Sequence, residues 1–304
     1  MNRRLTLETL ATLRDYVRYA ASRFSEARLF FGHGTAGPLD EAAALVLHAL
    51  HLPYDLPGGY FEANLLPDER EHILALIERR IAERKPLAYL TGEAPFAGLN
   101  FYVDERVLVP RSPIAELIEQ HFAPWLDADE VQDVLDLCTG SGCIAIACAH
   151  AFPEARVDAS DVSSEALAVA RINIDKHELK KRVHAIESDL YAGLGDKRYD
   201  LIVSNPPYVP MPEWQALPAE FHAEPRLGLE AGADGLDCVR RILADAARHL
   251  KPDGVLVVEV GSAAEGLVAA YPDVPFHWLE FERGGDGVFL LTAEQVSRFF
   301  PAED

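Results

Sequence analysis

The sequence has few cysteines, and none of them forms a recognisable metal-binding or disulfide pattern. The four cysteines stand at positions 138, 143, 148 and 238, without a Cys-x-x-Cys motif and without histidines at metal-ligand spacing. These absences exclude the common zinc modules and a small disulfide-stapled domain. We therefore interpret the cysteines as reduced packing residues and expect no metal.

Long apolar runs are absent as well. No stretch approaches the ~20 residues that span a bilayer, although 49% of the 304 residues are hydrophobic and 25% are charged. This composition is ordinary for a globular protein, and the length fits one large core with a smaller module. The start of the sequence, Met1 to Thr6, lacks the apolar region of a secretory signal, so we expect a cytoplasmic protein that makes no membrane contact.

Positive charge is scarce in the second part of the chain. Residues 1–90 carry 11 Lys and Arg against 12 Asp and Glu, whereas residues 91–304 carry 17 against 37. An acidic surface repels nucleic-acid phosphate and attracts basic partners, although many cytosolic proteins are acidic for solubility alone. The charge therefore argues against direct readout of nucleic acid.

The first part of the chain has the spacing of helices. Apolar residues recur with a helical period over 5–23, 39–50 and 67–84, which predicts a small helical domain at residues 1–90. After Pro86, aromatic and β-branched residues surround the sequence Gly98-Leu99-Asn100. This pattern predicts a β-hairpin turning at those three residues, within a linker at 91–106.

From Val131 onward, strand and helix patterns alternate, which is typical of a doubly wound α/β fold with a parallel sheet. The apolar segments 276–282 and 287–292 are joined by only four residues, too few for a helical crossover, so they must pair antiparallel. The sequence thus predicts an α/β domain at 107–304. Strands are expected at 131–137, 155–161, 182–187, 198–204 and 254–260, with helices at 142–152, 163–177, 233–250 and 262–270.

The fourth of these strands ends in a stiff corner, Ser204-Asn205-Pro206-Pro207-Tyr208. The two prolines fix two φ angles and remove two backbone donors, which leaves carbonyl acceptors beside the Asn205 amide and the Tyr208 ring. Acceptors beside a flat ring suit a planar group that carries an NH2, such as a carboxamide or an exocyclic base amine. In isolation, the same segment fits a simple strand stop equally well.

Three other strand ends supply candidate nucleotide contacts. Asp136 leads into the turn Cys138-Thr139-Gly140-Ser141-Gly142, which is neither a Gly-x-Gly-x-x-Gly motif nor a P-loop, but whose glycines let a ligand approach the backbone. Asp161 follows about 20 residues later, where a carboxylate accepts ribose hydroxyls or caps the next helix. Asp189 and Leu190 follow the third strand, near the adenine end of the expected crevice. The four strand ends together predict an adenosine-containing ligand.

With these motifs, the chain resembles the S-adenosylmethionine-dependent methyltransferases, and its Asn-Pro-Pro-Tyr corner resembles those that methylate planar NH2 groups. The helical first domain, Phe96-x-Gly98-x-x-Phe101 and Leu108-Val109-Pro110-Arg111 are similar to the protein-(glutamine-N5) methyltransferases. The resemblance covers nearly the whole chain and implies a seven-stranded, Rossmann-like sheet and S-adenosyl-L-methionine as cofactor. The residues expected to bind it are Asp136, Cys138, Thr139, Gly140, Ser141, Gly142, Asp161, Asp189, Leu190 and Asn205.

This family has two branches, one acting on peptide release factors and one on ribosomal protein L-three. Cys138 stands where the release-factor branch usually has glycine, and Arg111-Ser112-Pro113-Ile114 replaces its Arg-Pro-x-Thr. These departures, with segments 19–24 and 32–35, resemble the ribosomal-protein branch. The implied substrate is therefore a basic protein of the large ribosomal subunit, with release factors as the alternative; the oligomeric state is not predicted.

The resemblance also implies direct methyl transfer to an amide nitrogen, without a metal or a covalent enzyme intermediate. Asn205 and Pro206 are expected to accept the two amide N–H bonds while Tyr208 stacks on the amide plane. Pro207, Phe96 and Arg111 complete the expected substrate contacts. Two other functions remain open: an adenine-N6 nucleic-acid methyltransferase with the same corner, which the acidic domain disfavours, and a non-catalytic protein that keeps the cofactor as a structural ligand.

Overall fold

The computed structural model describes residues 3–302. The chain divides into two compact units. One holds the described residues up to Glu93 together with Pro218–Ala223, and the other holds Ala94–Leu217 together with the residues from Glu224 onward. The sequence analysis placed all of 107–304 in one domain, whereas in the structure Pro218–Ala223 belongs to the first unit. Glu220 explains that assignment, because its carboxylate accepts hydrogen bonds within the first unit, 2.8 Å from Arg84 Nη2 and 3.2 Å from the Phe30 amide.

The first unit is a helical bundle around one apolar core. Its largest fully buried side chains include Tyr16, Phe24, Leu45, Ile73 and Ile77. The helices are α1 (Arg3–Thr9), α2 (Leu13–Glu26), α3 (Pro38–Ala49), α4 (Pro67–Glu83) and α5 (Leu87–Thr91), with 3-10 turns at Gly58–Glu62 and Phe221–Ala223.

The single helix predicted over 5–23 is wrong, because the chain breaks between α1 and α2. Thr12 has the extended backbone of an N-cap residue, and its hydroxyl accepts a hydrogen bond from the Asp15 amide at 3.2 Å. The Asp15 carboxylate in turn accepts from the Thr12 amide at 3.0 Å. This reciprocal capping box satisfies the free amides of a new helix start, so α2 begins at Leu13 although the apolar spacing continues.

The predicted hairpin is present, with its turn displaced. Strand β1 (Glu93–Phe96) pairs with β2 (Leu99–Tyr102), and the turn residues are Ala97 and Gly98, with φ of +46° and +72°. Two successive positive φ angles match the right-handed twist of a tight hairpin. The prediction of a Gly98-Leu99-Asn100 turn is therefore wrong, because Leu99 and Asn100 already belong to β2.

The second unit is built on a seven-stranded sheet. The strand order is β5-β4-β3-β6-β7-β9-β8; the pairs from β5 to β7 are parallel, and β9 is antiparallel to both its neighbours. This confirms the predicted sheet with its terminal antiparallel hairpin. The strands are β3 (Asp133–Leu137), β4 (Arg156–Asp161), β5 (Val183–Glu187), β6 (Tyr199–Ser204), β7 (Leu250–Glu259), β8 (His277–Trp278) and β9 (Val288–Thr292).

Helices cover both faces of this sheet, so its strands read as continuous apolar runs rather than as alternating ones. Along β6, Leu201 and Val203 face one core cluster while Ile202 faces the other. The helices are α6 (Ile114–Glu119), α7 (Cys143–Ala151), α8 (Ser164–Lys176), α9 (Met211–Ala216), α10 (Asp237–His249), α11 (Ala264–Ala270) and α12 (Ala293–Phe299), with 3-10 turns at Arg226–Gly228 and Gly261–Ala263.

The parallel register brings the carboxyl ends of the central strands to one edge. Leu137 at the end of β3 pairs with Ser160 on one side and with Ser204 on the other. The turns after β3, β4, β5 and β6 therefore open at the same edge, where open α/β sheets bind ligands. Within residues 3–302, no helix is long and apolar enough to cross a membrane, and no three His, Cys, Asp or Glu side chains are arranged to hold a metal ion.

Candidate active site

The turn after β3 presents open backbone to this edge. Gly140 has a φ of +54°, and a Cβ added there would meet nothing within 4 Å, so the space beside it is free. Gly142 differs, since a Cβ there would lie 3.3 Å from the Cβ of Ala170 on α8. Gly140 therefore leaves room for a ligand, whereas Gly142 allows close packing of α7 against α8.

Asp136 holds this turn from below rather than reaching the ligand space. Its side chain is fully buried, and its Oδ2 accepts hydrogen bonds from the Thr139 hydroxyl at 2.5 Å and the Ala145 amide at 3.0 Å. Burial raises the pKa of this carboxyl to about 7. Its other oxygen, Oδ1, has no hydrogen-bond partner among the described residues. Asp136 thus fixes the geometry of the turn with Oδ2, while Oδ1 stays without a hydrogen bond among the described residues.

Asp161 connects the turn to the end of β4. Its Oδ2 accepts from the Gly140 amide and its Oδ1 from the Ser163 amide, both at 2.9 Å. Burial raises the pKa of Asp161. The helix cap itself is Ser163, whose hydroxyl accepts from the Ala166 amide at 3.1 Å. Asp161 also lines the cavity, and a carboxylate has about four lone-pair sites, so it can accept ligand hydroxyls in addition to these backbone amides.

After the end of β5, the predicted residue Asp189 is paired with Arg241, which the sequence analysis did not single out. Asp189 accepts a hydrogen bond from Arg241 Nη2 at 2.8 Å, and this contact lowers the pKa of Asp189. Leu190, with a φ of +50°, is buried at the cavity wall. Arg241 lies on α10, about 50 residues away in sequence, and no local pattern links it to Asp189.

At the end of β6, the diproline corner leaves its polar groups available. Ser204 ties β6 to β3 by donating to the Leu137 carbonyl at 2.8 Å. Within the described part of the chain, neither the Asn205 side chain nor the Pro206 carbonyl makes a hydrogen bond to another residue. Asn205 and Pro207 line the cavity, whereas Pro206 is buried behind them. The corner therefore leaves two acceptors unused, of which the Asn205 side chain borders the cavity.

Tyr208 is held behind the corner by a buried carboxylate. Its hydroxyl donates to Glu259 Oε1 at 2.9 Å, and the Ser112 hydroxyl donates to Oε2 at 2.5 Å. Burial and the Glu259 charge both raise the pKa of Tyr208, and burial raises that of Glu259. Gly261 lies against the ring, where an added Cβ would come within 2.6 Å of Tyr208 Cε2.

Arg111 lines the cavity and also holds its wall together. Its two terminal nitrogens donate to both carboxylate oxygens of Glu224, at 2.6 and 2.8 Å. Glu224 is buried and also accepts from the Val109 amide at 2.9 Å. The ion pair therefore fastens the segment before α6 to the loop that begins at Glu224; substrate contact by Arg111 remains a prediction.

Phe96 does not lie at the cavity. It is 5% exposed, belongs to the apolar core and packs edge-on against Phe101, with 6.4 Å between ring centroids. Because a buried ring offers no face to a substrate, its predicted role in substrate binding is not supported and we assign it to packing.

The strand ends together enclose a cavity of about 440 Å³, within the size range of small-molecule sites. Predicted residues at its wall are 138–141, Asp161, Asp189, Leu190, Asn205, Pro207 and Arg111; Asp136, Gly142, Pro206, Tyr208 and Phe96 lie behind or away from it. Residues that sequence reasoning missed include Arg106, Glu230, Asp237, Cys238 and Arg241.

The charges at the wall suit a cationic ligand. Each guanidinium there has its own carboxylate partner: Arg106 with Asp104, Arg111 with Glu224, and Arg241 with Asp189. Of the remaining acidic side chains at the wall, Glu230 pairs with Arg226 at 3.2 Å and Asp237 lies 3.7 Å from Arg240, whereas Asp161 has no ion-pair partner among the described residues. A sulfonium cofactor with ribose hydroxyls and an amino group fits this combination of carboxylates and open glycine backbone.

The fold and this cavity define a methyltransferase with a Rossmann-like sheet, and the methyltransferase small domain family matches residues 119–218. A ribosomal protein uL3 glutamine methyltransferase of Neisseria meningitidis serogroup B is 54% identical over 95% of each chain. The enzyme of the same name from Neisseria gonorrhoeae is 55% identical over 95% of this chain and 97% of the relative. The chain belongs to the ribosomal protein uL3 glutamine methyltransferase family.

A solved structure supports the fold alone. The hMettl16 catalytic domain in complex with MAT2A 3'UTR hairpin 6 is 17% identical, with a TM-score of 0.51 over 78% of this chain and 82% of that chain. Family membership confirms the predicted enzyme class, the S-adenosylmethionine cofactor and the ribosomal-protein branch.

Proposed function

We propose that this protein transfers a methyl group from S-adenosylmethionine to the side-chain amide nitrogen of a glutamine in ribosomal protein uL3. The observation that carries the proposal is the pair of unused acceptors at the diproline corner, the Asn205 amide oxygen and the Pro206 carbonyl. Two acceptors hold both N–H bonds of a primary amide, which fixes its plane. The stiff corner keeps them in place without reorganisation during the reaction.

The cofactor is held by the strand ends in this proposal. Residues 138–141 offer open backbone, Asp161 accepts ribose hydroxyls, and Asp189 with Leu190 contacts the adenine. When bound, the cofactor supplies an electrophilic methyl group. Asn205 and Pro206 orient the amide so that its lone pair turns toward that methyl, and Tyr208, fixed by Glu259, supports the corner from behind.

The proposed partner is a basic ribosomal protein, and the charge of the chain supports this choice. The excess of acidic residues over 91–304 attracts a basic protein and repels nucleic acid. We therefore propose no direct nucleic-acid readout. We propose the cytoplasm as the location, since ribosomal proteins are synthesised there.

The test is methyl transfer from labelled S-adenosylmethionine to purified uL3, a release factor and adenine-containing DNA or RNA, each offered separately. We expect label on a uL3 glutamine, located by peptide mass spectrometry. Label only on the release factor would overturn the substrate, and label on nucleic acid would overturn the class of acceptor.

A variant distinguishes the enzyme from a non-catalytic binder. Asn205→Ala removes an amide acceptor, so transfer should fall by ~100-fold or more, while S-adenosylhomocysteine still binds within a few-fold. Asn100→Ala, on the exposed side of β2, is the matched control and should leave both unchanged. Equal transfer by Asn205→Ala and wild type would overturn the proposed role of the corner.

A further inference from the structure

Two cysteines that are distant in sequence meet at the cofactor cavity. Cys138 follows β3 and Cys238 lies in the first turn of α10, yet both line the same cavity, and each thiol is close enough to shift the pKa of the other. Both are partly exposed, unlike Cys148, which is buried inside α7. Neither thiol is needed for the proposed transfer, so their meeting requires its own explanation.

The backbone at Cys138 makes the pairing more specific. Its φ is +59°, in the left-handed region where a residue with a Cβ is disfavoured relative to glycine. A glycine would relieve this strain and would leave the turn intact. The cysteine therefore carries a conformational cost, and what it adds is a thiol in interaction range of Cys238.

The two thiols differ in reactivity. Cys238 stands near the positive end of a 13-residue helix, and Arg241, one turn later, lines the same cavity. The interaction with Cys138 and the Arg241 charge lower the pKa of Cys238, against the opposing effects of burial, Asp189 and Asp161. The same interaction and burial raise the pKa of Cys138. The place of Cys238 at the helix start beside Arg241 makes it the expected nucleophile and Cys138 its resolving partner.

We propose that Cys138 and Cys238 form an oxidation site, which a peroxide converts to an intramolecular disulfide. The Cys238 thiolate attacks one peroxide oxygen and the O–O bond breaks, which gives a sulfenic acid and, after protonation, water. The Cys138 sulfur then attacks the sulfenic sulfur, the S–S bond forms, the S–O bond breaks and a second water leaves. Two thiols lose two hydrogens in total, and hydrogen peroxide is reduced to two waters.

The disulfide should also oppose cofactor binding, a part of the inference that rests on the proposed function. An S–S bond is about 2 Å long, much shorter than any contact between two unbonded thiols. Its formation draws the first turn of α10 toward the turn after β3, and both of these are cavity walls. Because coupling between two sites is reciprocal, a bound cofactor should disfavour disulfide formation by the same factor by which the disulfide lowers cofactor affinity.

The experiment uses the full chain treated with hydrogen peroxide and then with a thiol-blocking reagent. Intact mass should fall by two hydrogens before blocking, and peptide mapping should join Cys138 to Cys238. Cys148→Ala is the matched control and should behave as wild type, whereas Cys238→Ser and Cys138→Gly should form no intramolecular disulfide. Peptide mapping also shows whether Cys143, the other cysteine at the cavity wall, forms a disulfide instead.

Binding of S-adenosylhomocysteine is measured by calorimetry on reduced and oxidised protein. Oxidation should weaken binding about tenfold or more, dithiothreitol should restore it, and the ligand should slow disulfide formation. Absence of the disulfide, or a link through Cys143, overturns the oxidation site. A disulfide that leaves affinity unchanged overturns the coupling. Reduced protein that binds no ligand overturns the proposed cofactor cavity, while the mass result still decides the oxidation site by itself.

Discussion

The Tyr208 hydroxyl donates a hydrogen bond to the buried carboxylate of Glu259 at 2.9 Å, and this contact joins the diproline corner to the end of β7. Ser112 occupies the other carboxylate oxygen. Because Glu259 is only 5% exposed, water has little access to the Tyr208 hydroxyl as an alternative acceptor. The position of the Tyr208 ring therefore depends on a residue 51 positions away.

Removal of this acceptor should impair transfer more than ligand binding. For Glu259→Leu, we expect methyl transfer to fall by about 10- to 100-fold, since a hydrogen bond to a charged group contributes ~1.5–3 kcal/mol. S-adenosylhomocysteine affinity should change by less than a few-fold. The measurement is kcat on uL3 beside calorimetry, with Tyr208→Phe and the double variant completing a cycle. Fully additive effects would contradict the coupling of the two residues.

A second change acts on the other face of the same ring. Gly261→Ala places a Cβ 2.6 Å from Tyr208 Cε2 at a φ of +44°, so the ring must shift and transfer should fall about tenfold or more. Gly284→Ala is the matched control, because its φ is +85° but an added Cβ meets nothing within 4 Å. Both variants bear backbone strain, and only the first displaces Tyr208. Equal losses of kcat in the two would point to strain alone.

The Arg111–Glu224 pair yields a prediction about stability. Arg111→Met leaves the buried Glu224 carboxylate without its bidentate partner and should lower the free energy of unfolding by about 3 kcal/mol. Glu224→Gln in the same chain removes the stranded charge and should recover most of that loss. Urea unfolding of the two single variants, the double variant and wild type measures this. Failure of the second change to recover stability would show that Arg111 acts by other contacts.

Asp136 gives the protein a pH-dependent stability. Its pKa rises from 3.8 to about 7 on folding, so between these values the folded protein binds the proton and the unfolded chain does not. The free energy of unfolding therefore falls as pH rises through this window, and this contribution falls by about 1.4 kcal/mol between pH 6 and 8.

Asp136→Asn keeps an oxygen acceptor for Thr139 and Ala145 and removes the titration. The difference in unfolding free energy between this variant and wild type should therefore grow in favour of the variant from pH 6 to 8. Asp55→Asn, at an exposed position of the first unit, serves as the control. Parallel pH profiles for Asp136→Asn and wild type would contradict a raised pKa at this carboxyl.

Local chemistry accounts for the parts of the fold that were predicted correctly. The alternation of strands and helices, the antiparallel last hairpin and the corner at Pro206 and Pro207 follow from periodicity, loop length and proline geometry. The break at Thr12 also has a local signal, since Thr12 and Asp15 form a capping box. It was missed because the apolar spacing continues across it.

The sequence by itself determined which strand ends carry chemistry, because a parallel sheet collects those ends at one edge whatever the details of packing. Only the tertiary structure decided which side chains reach the cavity. Phe96 and Asp136 are buried away from it, while Cys238 and Arg241 reach it from a helix 50 or more residues away from their partners, and Glu259 supports Tyr208 from a strand 51 residues further on. Such long-range contacts depend on how whole helices and strands pack against each other, and short-range sequence patterns do not specify that packing.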